Sequence, residues 1–303
     1  GDGSMQQQVL YVYNNKNRIT KETCILSDGT IVYCNGYDYD DNGNVKKLIV
    51  YNPQNSTIID EYILYTRAAD GTVTESNVYN ANNVLIEKEV YNNAGFITEY
   101  YAFSATGVMT LEEKMRYDAN HLLIQQETTT YTESGSKATY LCEQYNDLKL
   151  VTVRIFEDFA LQTYEQVLYQ YNASMQVSQI TLYDRNGKTV ADRTLDHQGM
   201  VVSETLYENG REAYFNEYTY DNEGRVAQRK SLDINNSLLT KTAYTYNAEG
   251  VLASTLESNA ADEPLCKKDY DDAGNVEIQT DYNSEGAVER MTRFQYDTKN
   301  RVI

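Results

Sequence analysis

The chain has 303 residues, with 45 acidic and 26 basic side chains and a formal net charge of −19. That balance argues against a nucleic-acid partner, whose phosphates need neutralising, and against anionic membrane surfaces. No apolar run approaches the roughly 18 residues of a membrane helix, so no transmembrane insertion is expected.

Without its 29 Tyr, the hydrophobic share falls from 41% to about 31%, below the usual 45–50%. Tyr must therefore supply much of any core, with its hydroxyls wet or paired. In chain order, Gly1–Met5 (GDGSM) reads as an unstructured or expression-derived start, and no signal peptide follows. Cys24 and Cys34 flank the turn Ser27-Asp28-Gly29-Thr30. A disulfide between them requires a register that sets them opposite one another, and a one-residue slip separates them. With Cys142 and Cys266 they make up all four cysteines, and zinc-site spacing is missing.

Next comes YDYDDNGNV, Tyr37 to Val45, whose Asp38, Asp40, Asn42 and Gly43 resemble the head of an EF-hand loop. Counted from Asp38, the twelfth position is Ile49 instead of a bidentate Glu, and the downstream copy DYDDAGNV places Ala273 at the fifth. These residues read better as one copy of a turn, Tyr-Asp/Asn-x-x-Gly-x-Val. Its clear copies are Tyr39-Asp40 with Gly43, Tyr91 with Gly95, Tyr183-Asp184 with Gly187, and Tyr220-Asp221 with Gly224. Tyr246 with Gly250, Tyr270-Asp271 with Gly274, and Tyr282 with Gly286 continue the series, and Leu195 opens a variant. Weaker copies start at Tyr13, Tyr51, Tyr79, Phe103, Tyr117, Tyr131, Tyr145, Tyr171 and Tyr296.

Asp or Asn after Tyr bonds its own backbone and starts a turn, while Gly accepts positive φ. Between turns lie short segments rich in Thr, Tyr and Val, suited to strands. Starts at 39, 51, 65, 79 and 91 are 12 or 14 residues apart. Even spacing predicts that every key Tyr lies on one face of the sheet. The expected fold is all-β: a long antiparallel meander of about 20–22 short strands in a single repeat domain, curled into a large barrel or spiral shell. Strand centres are polar on both faces, which argues against a lipid-facing belt.

Tyr-Asp-x-x-Gly-Arg/Asn-Val, as in YDNEGRV (220–226) and YDDAGNV (270–276), resembles the YD repeat of Rhs proteins. The resemblance spans nearly the whole chain, although the spacing here is shorter than in that family. It implies a bacterial β-shell, secreted, periplasmic or at the cell surface, some of whose members enclose toxin domains. The chain is also similar to secreted bacterial repeat proteins with a porin-like fold, and LYENGRE (206–212) resembles a turn of MORN-like repeats.

Little else in the chain carries chemistry. His121 and His197 fall in separate turns, so Ser-His-Asp and Cys-His arrangements are not expected. Glu99, Glu204, Asp192 and Asp281 fall within strands, where converging carboxylates would serve glycoside hydrolysis and cross-strand partners would make them structural. No cofactor is implied. The expectation is a non-enzymatic interaction scaffold or binding shell, with a glycan or surface protein as partner. The alternatives are a carbohydrate-active or glycan-binding protein using strand carboxylates and Tyr, and an encapsulating fragment of a toxin-like protein.

Overall fold

The computed structural model describes residues 7–297 and Val302. The expected unstructured start at Gly1–Met5 lies outside them. The chain divides into two compact units after Tyr164, and the repeat continues through both.

The first unit holds β1 (Gln7–Tyr13), β2 (Ile19–Leu26), β3 (Ile31–Tyr39), β4 (Val45–Asn52), β5 (Asn55–Arg67) and β6 (Val73–Asn80). It continues with β7 (Leu85–Tyr91), β8 (Ile97–Phe103), β9 (Met109–Tyr117), β10 (Leu123–Tyr131), β11 (Lys137–Tyr145) and β12 (Val151–Asp158). The second unit begins within β13 (Thr163–Tyr171) and holds β14 (Val177–Tyr183), β15 (Thr189–Leu195), β16 (Val201–Glu208), β17 (Arg211–Tyr220) and β18 (Val226–Leu232). It ends with β19 (Leu238–Tyr246), β20 (Leu252–Asn259), β21 (Pro264–Tyr270), β22 (Val276–Tyr282) and β23 (Val288–Arg293).

Within each unit every strand pairs antiparallel with its neighbour in sequence, as β2 does with β3 and β17 with β18. The expected all-β meander is therefore present, with 23 strands among the described residues. Among the described residues, β1 pairs with β2 and β23 with β22, and neither has a second partner. The ladder is open, so the barrel half of the expectation does not hold.

The single-face expectation is overturned. Tyr39 pairs with Val45, but the next pair is Asp38 with Lys47, so Lys46 is an extra residue. A one-residue bulge reverses the alternation of everything after it. Tyr51 consequently pairs with Cys34, on the face opposite Tyr37 and Tyr39. The same shift recurs beside Tyr79, Tyr91, Tyr220 and Tyr270. Motif tyrosines thus alternate between the two faces. At many bulges the extra residue is Thr or Ser, and its hydroxyl donates to a carbonyl of the preceding strand. Thr98 donates to Val90 (3.2 Å), Thr110 to Ala102 (3.2 Å) and Ser178 to Gln170 (3.4 Å).

A second correction concerns the expected start at Tyr65. The turn there runs from Ala68 to Thr72, and Arg67, instead of Tyr65, pairs with the first residue of the next strand, Val73.

Little of the chain is fully buried. The accessible surface is 19020 Å², whereas two separate globules of half the mass would together expose about 16,000 Å². The buried residues are small or polar: Cys24, Cys34, Cys142, Ala191, Ser76 and Thr129 among them. Long neighbours close over them. On the second face of the first unit, Lys21 Nζ sits 4.8 Å from the Tyr51 ring centroid, Lys47 Nζ 4.1 Å from that of Tyr62, and Tyr62 stacks on Tyr79.

The register also settles the cysteine question. Cys24 pairs with Tyr33, and Cys34 with Thr23, so the two side chains lie on opposite faces. Both are free thiols. The slip that separates them is the one-residue offset that Cys24 and Cys34 would have to avoid.

Gly36 is buried and, unlike the turn glycines, has no positive φ. A Cβ there would lie 3.0 Å from Tyr51 Cε2 and 3.5 Å from Ile49 Cβ. Gly36→Val should therefore cost about 1–3 kcal/mol by overpacking. Denaturant unfolding of this variant, and of the double variant that also carries Tyr51→Ala, checks it. The second change should recover part of the loss, and equal stability of wild type and Gly36→Val would refute the contact.

Candidate functional site

The turn motif works as one local device. In YDDNGNV the Asp40 N–H donates to the Asn44 carbonyl and the Gly43 N–H to the Asp40 carbonyl. This is a type I turn closed by a left-handed residue, here Gly43 at φ 93°. The Asp40 carboxylate accepts the Asn44 N–H at 2.8 Å. Asp184, Asp221 and Asp271 each accept two N–H groups, from the residues two and four positions on. Asn92, Asn247 and Asn283 do the same with an amide oxygen. Gly95, Gly187, Gly224, Gly250, Gly274 and Gly286 share the positive φ of Gly43, and His121 adopts it in the same slot without being glycine. The Asp40 carboxyl is held below the usual 3.8, chiefly by the Asn44 N–H. Backbone N–H groups four residues on hold Asp184, Asp221 and Asp271 down in the same way.

The motif Tyr has a separate task. The ladder between β2 and β3 stops at Lys21 and Gly36, two residues short of Ile19. Tyr39 donates its hydroxyl to the Ile19 carbonyl at 2.6 Å. Tyr220 donates to Val201 (2.6 Å) and Tyr246 to Val226 (2.9 Å), each two residues beyond the end of a ladder. Tyr117 and Tyr296 repeat the bond to Ile97 and Val276. Arg67 performs the same task from the Tyr slot. Its guanidinium donates to the Val45 carbonyl at 3.2 Å and to the Gly71 carbonyl at 2.9 Å. Not every motif Tyr does so: Tyr91 bonds Glu89 instead, and the Tyr270 hydroxyl lies 3.4 Å from Thr255 Oγ1.

A further pattern went unread in the sequence. Tyrosine hydroxyls repeatedly hold strand carboxylates, as Tyr33 and Tyr37 do on Glu22 at 2.7 and 2.9 Å. The Tyr33 hydroxyl is pushed up to about 12, first by its bond to Glu22, so it remains a donor at ordinary pH. The signal was present as Glu-x-Tyr, which sets acid and phenol on one face of a strand: Glu89 and Tyr91, Glu99 and Tyr101, Glu143 and Tyr145.

The four strand carboxylates do not gather. Glu99 accepts from Tyr101 at 2.6 Å in the first unit. Glu204 is 8% exposed and takes Arg193 Nε (2.8 Å), Tyr218 (2.9 Å) and Asn216 (3.2 Å). Burial pushes its carboxyl up, but Arg193, Tyr218 and Asn216 outweigh that, and the net shift is downward. Asp192 faces the other way, because Arg193 is the residue paired with Glu204, and it accepts from Tyr207 at 2.8 Å. Asp281 is held by Gln279 and by Arg290. His121 and His197 are exposed in their turns, His121 stacked on Phe96. Among the described residues no three His, Cys, Asp or Glu side chains cluster as a metal site requires.

A concave place in the second unit combines charge with aromatic rings. On the face that bears Tyr218, β18 to β21 enclose a cavity of about 190 Å³. Arg229 pairs with Thr242, Thr242 with Glu257, Tyr244 with Thr255, and Thr255 with Lys268, so register puts all six on one face. Thr242 and Thr255 are buried and form the floor. Arg229 Nη2 reaches Thr242 Oγ1 at 3.5 Å, while its buried Nε has no partner.

Two outcomes test the motif. Tyr220→Phe should lower stability by about 1 kcal/mol by leaving the Val201 carbonyl unbonded. Tyr282→Phe should change it by less than about 0.5 kcal/mol, because the Tyr282 hydroxyl has no partner among the described residues. Equal losses in paired urea titrations would sink the assigned role. The aspartates predict an acid limb. A carboxyl whose folded pKa is depressed contributes stability that is present above the unfolded value and lost as pH falls through the folded one. Thermal midpoints should therefore drop below about pH 4. A variant with Asp40, Asp184 and Asp271 all changed to Asn should show a flatter limb, and parallel limbs would contradict the assignment.

No protein-family model matches the chain, and no curated protein matches it. Among solved structures it is similar to TcdB2-TccC3, at 12% identity and a TM-score of 0.26, over 97% of this chain and 20% of that one. A Photorhabdus luminescens Tc holotoxin pore gives 12% identity and 0.25, over 96% and 22%. A porin-like protein from Bacteroides uniformis gives 16% identity and 0.25, over 66% and 88%. The chain thus spans about a fifth of the length of the first two.

Proposed function

We propose that the chain is a non-enzymatic binding scaffold, working outside the cell or at its surface, whose strand centres present ligand-contacting side chains. The observation that supports it is the division of labour along each repeat. Asp, Gly and Tyr of the motif hold turns and ladder ends, as Asp221, Gly224 and Tyr220 do. The strand centres between them differ from repeat to repeat, and repeat proteins carry binding surfaces on such positions. Tyrosines at those centres, such as Tyr100 and Tyr244, offer rigid amphipathic contact area. The carboxylates an enzyme would use are tied instead to Tyr or Arg, as Glu204 is to Arg193 and Tyr218.

Arrays of glycans and surface proteins, probed with the full chain at high and low calcium, test this. The expected result is saturable binding to at least one class, with labelled glycosides left intact. Turnover of a glycoside that disappears in Glu204→Gln would replace the scaffold with an enzyme.

A further inference from the structure

The cavity on β18 to β21 carries an unusual charge for this chain. Two cations, Arg229 and Lys268, and one acid, Glu257, face it, in a protein whose net charge is −19. Several cations elsewhere in the same unit meet carboxylates: Arg193 with Glu204, Lys267 with Asp269, Arg290 with Asp281. Among the described residues neither Arg229 nor Lys268 forms a salt bridge, although Glu257 lines the same cavity. The buried Arg229 Nε donor is unused, and a buried donor without an acceptor is costly to leave so.

The remaining walls describe what the anion would be attached to. Tyr244 and Tyr270 bring phenol rings, whose faces pack against the C–H faces of a sugar. The Thr242 and Thr255 hydroxyls on the floor donate and accept, and the Glu257 carboxylate offers acceptors to a sugar's hydroxyls. A volume of about 190 Å³ is below the roughly 300–1,000 Å³ of drug-sized sites and suits a single ring. A neutral hexose would leave the guanidinium uncompensated. A phosphate would bring a second negative charge against Glu257 and leave the rings without a partner.

We propose that this cavity binds one hexuronate ring, with its carboxylate on Arg229 and Lys268 and its hydroxyls on Glu257 and the two threonines. A planar guanidinium suits a carboxylate, which it grips with two parallel bonds. The ring is either a free uronic acid or the end of an acidic polysaccharide, since both present the same groups. The proposal rests on the scaffold reading and adds to it a site and a ligand class.

The test is titration calorimetry of the full chain with D-glucuronate, D-galacturonate, D-glucose, inorganic phosphate and an oligogalacturonate. At least one uronate should bind at least tenfold more tightly than glucose or phosphate, and weaken as salt is raised. Arg229→Gln should reduce that affinity tenfold or more, and Lys268→Gln severalfold, with circular dichroism unchanged. Arg116→Gln, in the first unit, should leave it as it was. If only the oligomer binds, and does so through Arg229, the polysaccharide end is the source. Uronate binding that is indifferent to Arg229→Gln, or phosphate binding tighter than either uronate, overturns the site. Array binding that survives Arg229→Gln alongside silent uronate titrations removes the site and leaves the scaffold standing. Silence in both removes both.

Discussion

Most strands of this chain are paired to their predecessor right up to the turn, but to their successor only from two residues later. The carbonyl at the start of the strand is left outside the second ladder, as Ile19 is beyond the last β2–β3 pair. A part-buried backbone carbonyl left without a donor weakens the end of its ladder. The Tyr of the next turn on the same edge closes that gap, 20 residues on in the case of Tyr39. The demand is for a donor on a long side chain, not for a phenol as such. Arg67 shows this by supplying the bond from its guanidinium.

The bulge beside each turn follows from the same geometry and decides what the two faces look like. Because it adds one residue per repeat, Tyr39 and Tyr51 lie on opposite faces. Neither face is therefore left to solvent alone. Both receive long side chains that cover the small residues between them, so that Cys24 and Cys34 are buried although they point in opposite directions. A sheet organised this way is held by cross-strand pairs rather than by a thick apolar core. That explains how a chain with 29 Tyr and 6 Phe keeps its strands ordered.

The turns were legible in the sequence because their chemistry is local. Asp40 bonds N–H groups within four residues, and Gly43 needs only its own φ. The bulges were not legible. The extra residue is Lys46 in one repeat, Thr98 in another and Ser178 in a third, and no composition marks a backbone event of that kind. Missing them reversed the predicted side of every second Tyr and left the Cys24–Cys34 register undecided. Tyr65 reads as a turn residue because it is a Tyr, although Arg67 holds the place. The Arg229 cavity was hidden for the same reason. Its side chains come from four strands and meet only once the register through three bulged turns is known.

Where the cations of the second unit lie follows from how carboxylates are occupied. Several strand acids already have a phenol or a guanidinium, as Asp192 has Tyr207 and Glu204 has Arg193. Glu204 takes Arg193 and Tyr218 together, whereas Arg229, which pairs with Tyr218, is left with Thr242 alone. Cross-strand pairing thus neutralises one guanidinium and leaves another, three strands away on the same face, without a carboxylate. Because the turns and ladder ends are held by the motif, such a mismatch leaves the backbone pairing intact while the unused donor itself remains costly. Its position, over two buried threonines and between two tyrosines, turns an imperfect charge pairing into a place with the chemistry to hold a ligand.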